Sequence, residues 1–392
     1  MPVWVCRSST LPTLKQKISQ VDKEAYHVGR PNMPDKEKVL AKFAQVLDNQ
    51  WLTNMGPMSL ELEERIASML GAKHCICVCN ATIGLELLQR ALNLKGEVII
   101  PSFTFIATAH SLRWQRIDPV FCDVRVGDHL IDPTKIEELI TPRTSAIMAV
   151  PIWGQPCDYK ALQAIADKHG LKLIFDSAHA FGCKSGDQYL GGFGDAEVFS
   201  FHATKVFSTG EGGAVTTNSD ELAEKLRLMR NFGFTNYDKT DHIGTNAKMS
   251  EFAAAYGLVH LDELDSIIEQ NKKIHQAYLD EFSEFQELTF LDYTFPGKSN
   301  YQYIVAHLAS DIRDSLVDYF HAHSILLRRY FHPGCHRMEP YASHEQYQGL
   351  KLNVTDNISL EIVVFPTGTQ VTPSTIKEFS YQYRKFKEIN KL

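Results

Sequence analysis

No apolar run in this 392-residue chain approaches the length of a membrane-spanning helix, which sets aside an integral helical membrane protein. A basic patch is missing as well: lysines and arginines are scattered and the net charge is −7, so no continuous seat for nucleic acid is offered. The opening Met1-Pro-Val-Trp-Val-Cys-Arg7 lacks a signal peptide's apolar core and cleavage site, and the eight cysteines show no framework spacing. Reduced thiols and a cytoplasmic setting are expected. There is no internal repeat and no low-complexity segment. What is present, 44% hydrophobic and 22% charged residues, is an ordinary soluble globular composition, long enough for one large domain and one smaller one.

Cys75, Cys77 and Cys79 alternate along one strand, which puts all three on one face; a shared zinc would need turns between its ligands. They are read as small buried residues, and no metal is expected.

Amphipathic helices are expected over Lys36 to Leu47, Met58 to Leu70, Leu85 to Leu94 and Tyr159 to Lys168. Strands are expected at Cys75 to Val78, Val98 to Pro101, Pro119 to Cys122, Ala146 to Val150 and Leu171 to Phe175. This alternation is a βαβ series and implies a mostly parallel sheet covered by helices. One long helical pattern runs from Ser250 to about Tyr278. A strand at Tyr301 to His307 and a helix from Ile312 to Ala322 follow, in a smaller α+β domain. The expected division is an N-terminal extension over 1–34, a large domain over 35–265 and a small one over 266–392.

The chemistry concentrates in Phe199-Ser-Phe-His-Ala-Thr-Lys205-Val-Phe-Ser-Thr-Gly-Glu-Gly-Gly-Ala214, where one lysine follows a short hydrophobic strand and precedes a glycine-rich loop. A partly desolvated amine has a cheaper neutral, nucleophilic form, which a Schiff base requires. Upstream, Leu171 to Phe175 ends in Asp176, and ligands of open α/β sheets bind at such strand ends. A carboxylate and a lysine in one crevice suit pyridoxal phosphate: the anion keeps the ring nitrogen protonated and the lysine carries the aldehyde carbon.

Supporting elements each have two readings. Asn80-Ala81-Thr82 precedes a helix, where amides and a hydroxyl suit a phosphate, or where Asn80 or Thr82 caps the helix. Ser200 could join the same phosphate. In Pro101-Ser-Phe-Thr-Phe105-Ile-Ala-Thr108 an aromatic ring stacks on a flat cofactor or packs in the core. His179 meets the cofactor's phenolic oxygen or is structural. Gly210, Gly212 and Gly213 permit close backbone approach or form a plain turn.

Taken in order along the chain, these motifs resemble the sugar aminotransferases of the DegT/DnrJ/EryC1/StrS group, pyridoxal phosphate enzymes of fold type I. The resemblance also rests on Trp51-Leu-Thr-Asn-Met-Gly-Pro57 and Gly244-Thr-Asn-Ala-Lys-Met249-Ser-Glu251. It implies a mostly parallel seven-stranded sheet with helices on both faces and a small C-terminal α+β domain. It implies that Lys205 forms the Schiff base, Asp176 holds the pyridinium nitrogen, Ala81, Thr82 and Ser200 bind the phosphate, and Phe105 and His179 contact the ring. Asn246 would come from the neighbouring subunit of a homodimer with shared active sites. Two positions depart from the family pattern: His179 stands where glutamine is commoner, and Lys248 where arginine is. Relatives that dehydrate keto-sugars carry histidine in place of the lysine; this chain keeps Lys205, and His202 lies three positions earlier.

The activity implied is transfer of an amino group from L-glutamate, through pyridoxamine 5'-phosphate, to a nucleotide-linked keto-sugar. Val28-Gly-Arg-Pro-Asn32, Phe181-Gly-Cys183, Asn231-Phe-Gly-Phe234 and Arg329 to Met338 resemble most the members acting at C4 of dTDP-4-keto-6-deoxy-D-glucose; Lys248 is then a sugar or nucleotide contact, and Arg329, Tyr330 and His332 are either such contacts or part of a solvated dimer edge in this basic, aromatic segment. C3 amination of a 3-keto isomer and a non-catalytic, regulatory pyridoxal phosphate-binding protein stand as alternatives.

Overall fold

The computed structural model describes residues 25–391, so most of the expected N-terminal extension, residues 1–24, lies outside the described residues. Seven strands build the main sheet: β1 His74–Val78, β2 Glu97–Pro101, β3 Asp118–Cys122, β4 Thr144–Ala149, β5 Lys172–Asp176, β6 Ala196–Ser200 and β7 Gly213–Thr217. Their spatial order is β1-β7-β6-β5-β4-β2-β3. β7 is antiparallel to both neighbours and every other pairing is parallel. The mostly parallel sheet expected from the βαβ series is therefore what forms.

Buried on both faces, the strands are almost continuously apolar, and period-two alternation sorts their side chains. Ile76, Val78, Val98, Ile100, Ala146, Met148, Ile174, Val198 and Val215 share a core with helices α3 (Ala81–Ala91), α4 (Ile106–Trp114) and α6 (Asp220–Arg230). Cys75, Cys77, Ile99, Ile147, Leu173, Phe175 and Phe199 point the other way. They meet α2 (Pro57–Leu70), α5 (Tyr159–His169) and α7 (Glu251–Asp262); α1 (Lys36–Asp48) lies outside α7 with Phe43 edge-on to Phe252. Only two of the three alternating cysteines share a face. Strand pairing ends at Val78, and Cys79 beyond it packs with the opposite core.

A third core joins α8 (Leu264–Glu281), α9 (Ser310–Ala322) and α11 (Pro373–Asn390) to a three-stranded antiparallel sheet of β8 Thr289–Phe290, β9 Ile304–His307 and β10 Ile362–Phe365. Cys335, Tyr341, Tyr347 and Leu352 leave this unit and pack on the main sheet, and Asp123 at the end of β3 accepts the amides of Val354 and Thr355 that begin α10 (Asn353–Glu361). Tyr26 and His27 pair in parallel with Ile325 and Leu326, so part of the N-terminal segment belongs to this C-terminal unit.

The long helix expected from Ser250 to Tyr278 is two helices, α7 and α8, which meet at Glu263 (φ −104°, ψ 0°). Two different burial demands divide it. Most sides of α7 are buried between the sheet and α1 and α2, whereas α8 shows one stripe at helical spacing, Ile268, Asn271, Ile274 and Tyr278. The helix expected from Leu85 starts earlier, at Ala81, because Asn80 caps it.

Glu251 ties the first of these helices to α2. Its buried carboxylate accepts the amides of Met58 (2.7 Å) and Ser59 (3.0 Å), two orphan donors of a helix N-terminus. Gly56 makes room, since a Cβ there would stand 2.6 Å from Glu251 Cδ. Glu251→Ala leaves both amides without an acceptor and should cost about 2–4 kcal/mol of stability in a denaturant titration; a loss below about 0.5 kcal/mol contradicts this account.

Candidate active site

The ends of β5 and β6 meet the start of α3 on one edge of the sheet. Asn80 closes the α3 N-terminus by accepting the amide of Ile83 (2.9 Å), so the capping reading holds for this residue. The amides of Ala81 and Thr82, at the first two helical positions, find no acceptor among the described residues. Gly213 keeps this turn open: a Cβ there would lie 2.8 Å from Ala81 N and 2.7 Å from the Phe199 carbonyl. The Ser200 hydroxyl ends β6 and accepts one weak bond, from the amide of His202 (3.4 Å).

Asp176 is the last residue of β5, 5% exposed, and pairs with no cation at ion-pair distance among the described residues. Thr108 Oγ1 donates to its Oδ2 (2.7 Å) and the amide of Ala178 to its Oδ1 (3.3 Å). Burial raises its pKa, against the pull of Thr108, Ala178 and the Lys205 charge. Lys205 sits in a turn that its own amide closes on the His202 carbonyl (2.9 Å). Desolvation lowers the Lys205 amine to about 8, opposed by Asp176. Its Nζ donates to the hydroxyl of buried Tyr303 (3.2 Å).

His179 lies in an aromatic wall. It stacks on Trp153 (5.9 Å between centroids) and Phe331 (5.9 Å) and leans on Tyr303 (4.5 Å). The amide of Trp153 donates to its Nδ1 (3.3 Å), which leaves Nε2 as the protonated nitrogen of a neutral ring. Burial first, and Lys205 second, hold its pKa well below the ordinary histidine value. Phe105 stands before α4, 58% exposed, while its neighbour Phe103 is core. A free ring face at a strand end is what stacking on a flat cofactor requires; Phe103 satisfies the packing reading instead.

The C-terminal unit locks these loops. Asn300 donates to the carbonyls of His179 (2.9 Å) and Phe181 (3.1 Å), and Gln302 to that of Thr204 (2.7 Å). Tyr303 follows directly. Thr108, Trp153, Tyr303 and Phe331 were not singled out from sequence for this site. Thr108 had a signal, a hydroxyl one helical turn past the strand-end aromatic; the others lie too far along the chain from Lys205 to be connected by spacing.

The remaining expected contacts are dispersed. Asn246 is exposed on a segment running antiparallel to the end of β1, where the Cys79 amide meets the Ala247 carbonyl (2.8 Å). Lys248 bonds Asn231 (3.1 Å) and lies over the Phe232 ring. Arg329 is paired with Asp314 (2.9 Å) and His332 Nδ1 faces the Ser359 carbonyl (3.2 Å). Of the C-terminal candidates, Tyr330 alone faces the site, edge-on to Tyr303.

These groups fit pyridoxal phosphate. Two acceptor-free amides at a helix N-terminus suit its phosphate, and a buried carboxylate lacking a cation suits a pyridinium N–H. His179 Nε2 could donate to its phenolic oxygen, and the desolvated amine of Lys205 could take its aldehyde.

Residues 34–380 match the DegT/DnrJ/EryC1/StrS aminotransferase family. The chain is 40% identical over 309 residues, 78% of its length and 84% of the relative's, to the dTDP-4-amino-4,6-dideoxy-D-glucose transaminase of Shigella dysenteriae. It is 37% identical over 254 residues, 64% of its length and 69% of the relative's, to the dTDP-3-amino-3,6-dideoxy-alpha-D-galactopyranose transaminase of Aneurinibacillus thermoaerophilus. Among solved structures, DesI in the presence of its TDP-sugar product superposes with a TM-score of 0.88 at 40% identity, covering 93% of both chains.

Cofactor uptake tests the lysine directly. The rate at which cofactor-free protein takes up pyridoxal phosphate, followed by visible absorbance, should rise with pH and level off above a midpoint near the Lys205 value of about 8, because the neutral amine attacks. Tyr303→Phe removes an acceptor that stabilises the ammonium form and should lower the midpoint by up to about one pH unit. An unchanged midpoint speaks against the Lys205–Tyr303 bond.

Proposed function

We propose a specific reaction for a chain that belongs to the DegT/DnrJ/EryC1/StrS aminotransferase family and takes pyridoxal phosphate as its cofactor: transfer of an amino group from L-glutamate to C4 of dTDP-4-keto-6-deoxy-D-glucose, giving dTDP-4-amino-4,6-dideoxyglucose. The C4 assignment is carried by the 40% identity, over most of both lengths, to a relative named for that amino-sugar. The C3 reading is favoured by the Aneurinibacillus relative, whose match covers less of either chain.

When bound, the cofactor supplies an electron sink and carries the amino group. The chain's residues do the rest. Ala81 and Thr82 amides with Ser200 hold the phosphate at the α3 N-terminus. Asp176, kept in place by Thr108, holds the proton on the ring nitrogen. His179 donates Nε2–H to the phenolic oxygen, and Phe105 covers a ring face. Lys205, whose amine burial lowers to about 8 in the cofactor-free chain, would be the group that moves the proton between the donor's α-carbon and C4′ of the cofactor, since such an amine can both take and return a proton near neutral pH.

The chain works in this reading as a cytoplasmic homodimer with shared active sites, Asn246 reaching across to the neighbouring subunit's cofactor and Lys248 serving as a sugar or nucleotide contact. Exposed Phe232, Phe234, Tyr237 and Ile243 on the same stretch support a contact there. The product serves surface polysaccharide or glycosylated metabolites.

Lys205→Ala should retain some cofactor and lower turnover by at least about 10²–10⁴-fold. For regiochemistry, holoenzyme bleached by L-glutamate should recover its visible absorbance with the dTDP-linked 4-keto sugar and not with the 3-keto isomer, with the new amine at C4 by NMR. Recovery with the 3-keto sugar alone establishes the C3 reading, and failure of glutamate to bleach supports a binding protein without turnover.

A further inference from the structure

Beside the Lys205 crevice stand two half-buried arginines that no carboxylate neutralises. Neither Arg30 nor Arg328 makes an ion pair among the described residues, whereas the adjacent Arg329 is held by Asp314. Arg30 follows Gly29, which packs so closely on Thr204 that a Cβ would stand 3.1 Å from Thr204 Cβ, one residue from Lys205. Among the described residues the Arg30 guanidinium donates one hydrogen bond, to the Ala25 carbonyl (3.2 Å).

Arg328 reaches the same place from the C-terminal unit. Its backbone is pinned to Val364 by reciprocal hydrogen bonds (3.0 and 2.8 Å). Its guanidinium lies 5.5 Å from the centre of the Tyr330 ring; Tyr330 meets Tyr303 edge-on at 6.3 Å, and Tyr303 holds Lys205 Nζ. The parallel pairing of Tyr26 and His27 with Ile325 and Leu326 joins the two segments that carry these arginines. Both act on one group: after burial, the charges of Arg30 and Arg328 push the His27 pKa down.

Two like charges partly removed from water beside one another are costly unless an anion joins them. We propose that Arg30 and Arg328 form a seat for the anionic oxygens of substrate, the carboxylate of the amino donor or the diphosphate of the nucleotide sugar, at the mouth of the Lys205 site. Guanidinium groups match either oxygen pair in bidentate fashion. This rests on the aminotransfer reading, in which both substrates are anions that visit one crevice in turn.

The test is calorimetric titration of the pyridoxal phosphate holoenzyme with 2-oxoglutarate and, separately, with dTDP, for wild type, Arg30→Gln, Arg328→Gln and the double variant. Each substitution should weaken one probe or both by about tenfold. Loss confined to 2-oxoglutarate assigns the carboxylate, and loss confined to dTDP assigns the diphosphate. Arg→Lys variants should recover part of the affinity, and uptake of pyridoxal phosphate on Lys205 reports that each variant is folded. Unchanged binding of both probes in the double variant, or no binding by wild type, overturns the proposal. A wild-type holoenzyme that ignores glutamate, with probe affinities that still fall in the variants, sinks the aminotransfer reading and leaves the anion seat standing.

Discussion

An amine and a carboxylate, both withdrawn from water at the ends of adjacent strands, set the terms for the rest of this structure. Asp176 ends β5 and Lys205 follows the neighbouring β6, and each shifts the other's proton affinity. Left alone, the two would form an ordinary buried ion pair. Here Asp176 is satisfied by a hydroxyl and an amide, and Lys205 by a phenol, so each charge remains available to a ligand.

Keeping that arrangement dry requires walls, and they come from distant parts of the chain. Trp153, Phe331 and Tyr303 close around His179, and Asn300 and Gln302 pin the loops after β5 and β6 through their carbonyls. The C-terminal unit is therefore part of the site. Trp153 is itself oriented by buried His129, whose Nδ1 accepts the indole N–H (3.0 Å) and whose pKa burial lowers to about 3, so the pair stays neutral across the working pH range. Glu197, opposite Phe175 on the neighbouring strand, gathers the Ser177 hydroxyl and the amides of Gly191 and Phe193.

Much of this was legible in the sequence where local rules decide. The fully buried strands read as apolar runs, the strand-end carboxylate and the lysine before a glycine-rich loop stood out, and Asn80-Ala81-Thr82 announced a helix start. Legibility ended where two remote segments had to meet. Nothing near Lys205 names Tyr303, 98 residues away, as its hydrogen-bond partner. Gly56 and Glu251 each lay in a noted motif, yet their dependence on one another needed the fold. The single helix expected from Ser250 to Tyr278 failed because apolar residues buried on most sides and an apolar stripe look alike until their neighbours are known. Arg329 is expected from the resemblance as a sugar or nucleotide contact, but Asp314 pairs with it, and the preceding Arg328 makes no ion pair among the described residues.

Borohydride reduction of the holoenzyme followed by peptide mapping tests the central claim most directly, because it fixes the cofactor to whichever amine carries it. The account predicts one pyridoxyl group per chain, on Lys205, and none once glutamate has bleached the protein before reduction. Attachment to another lysine, or no attachment in protein that has bound the cofactor, would contradict it.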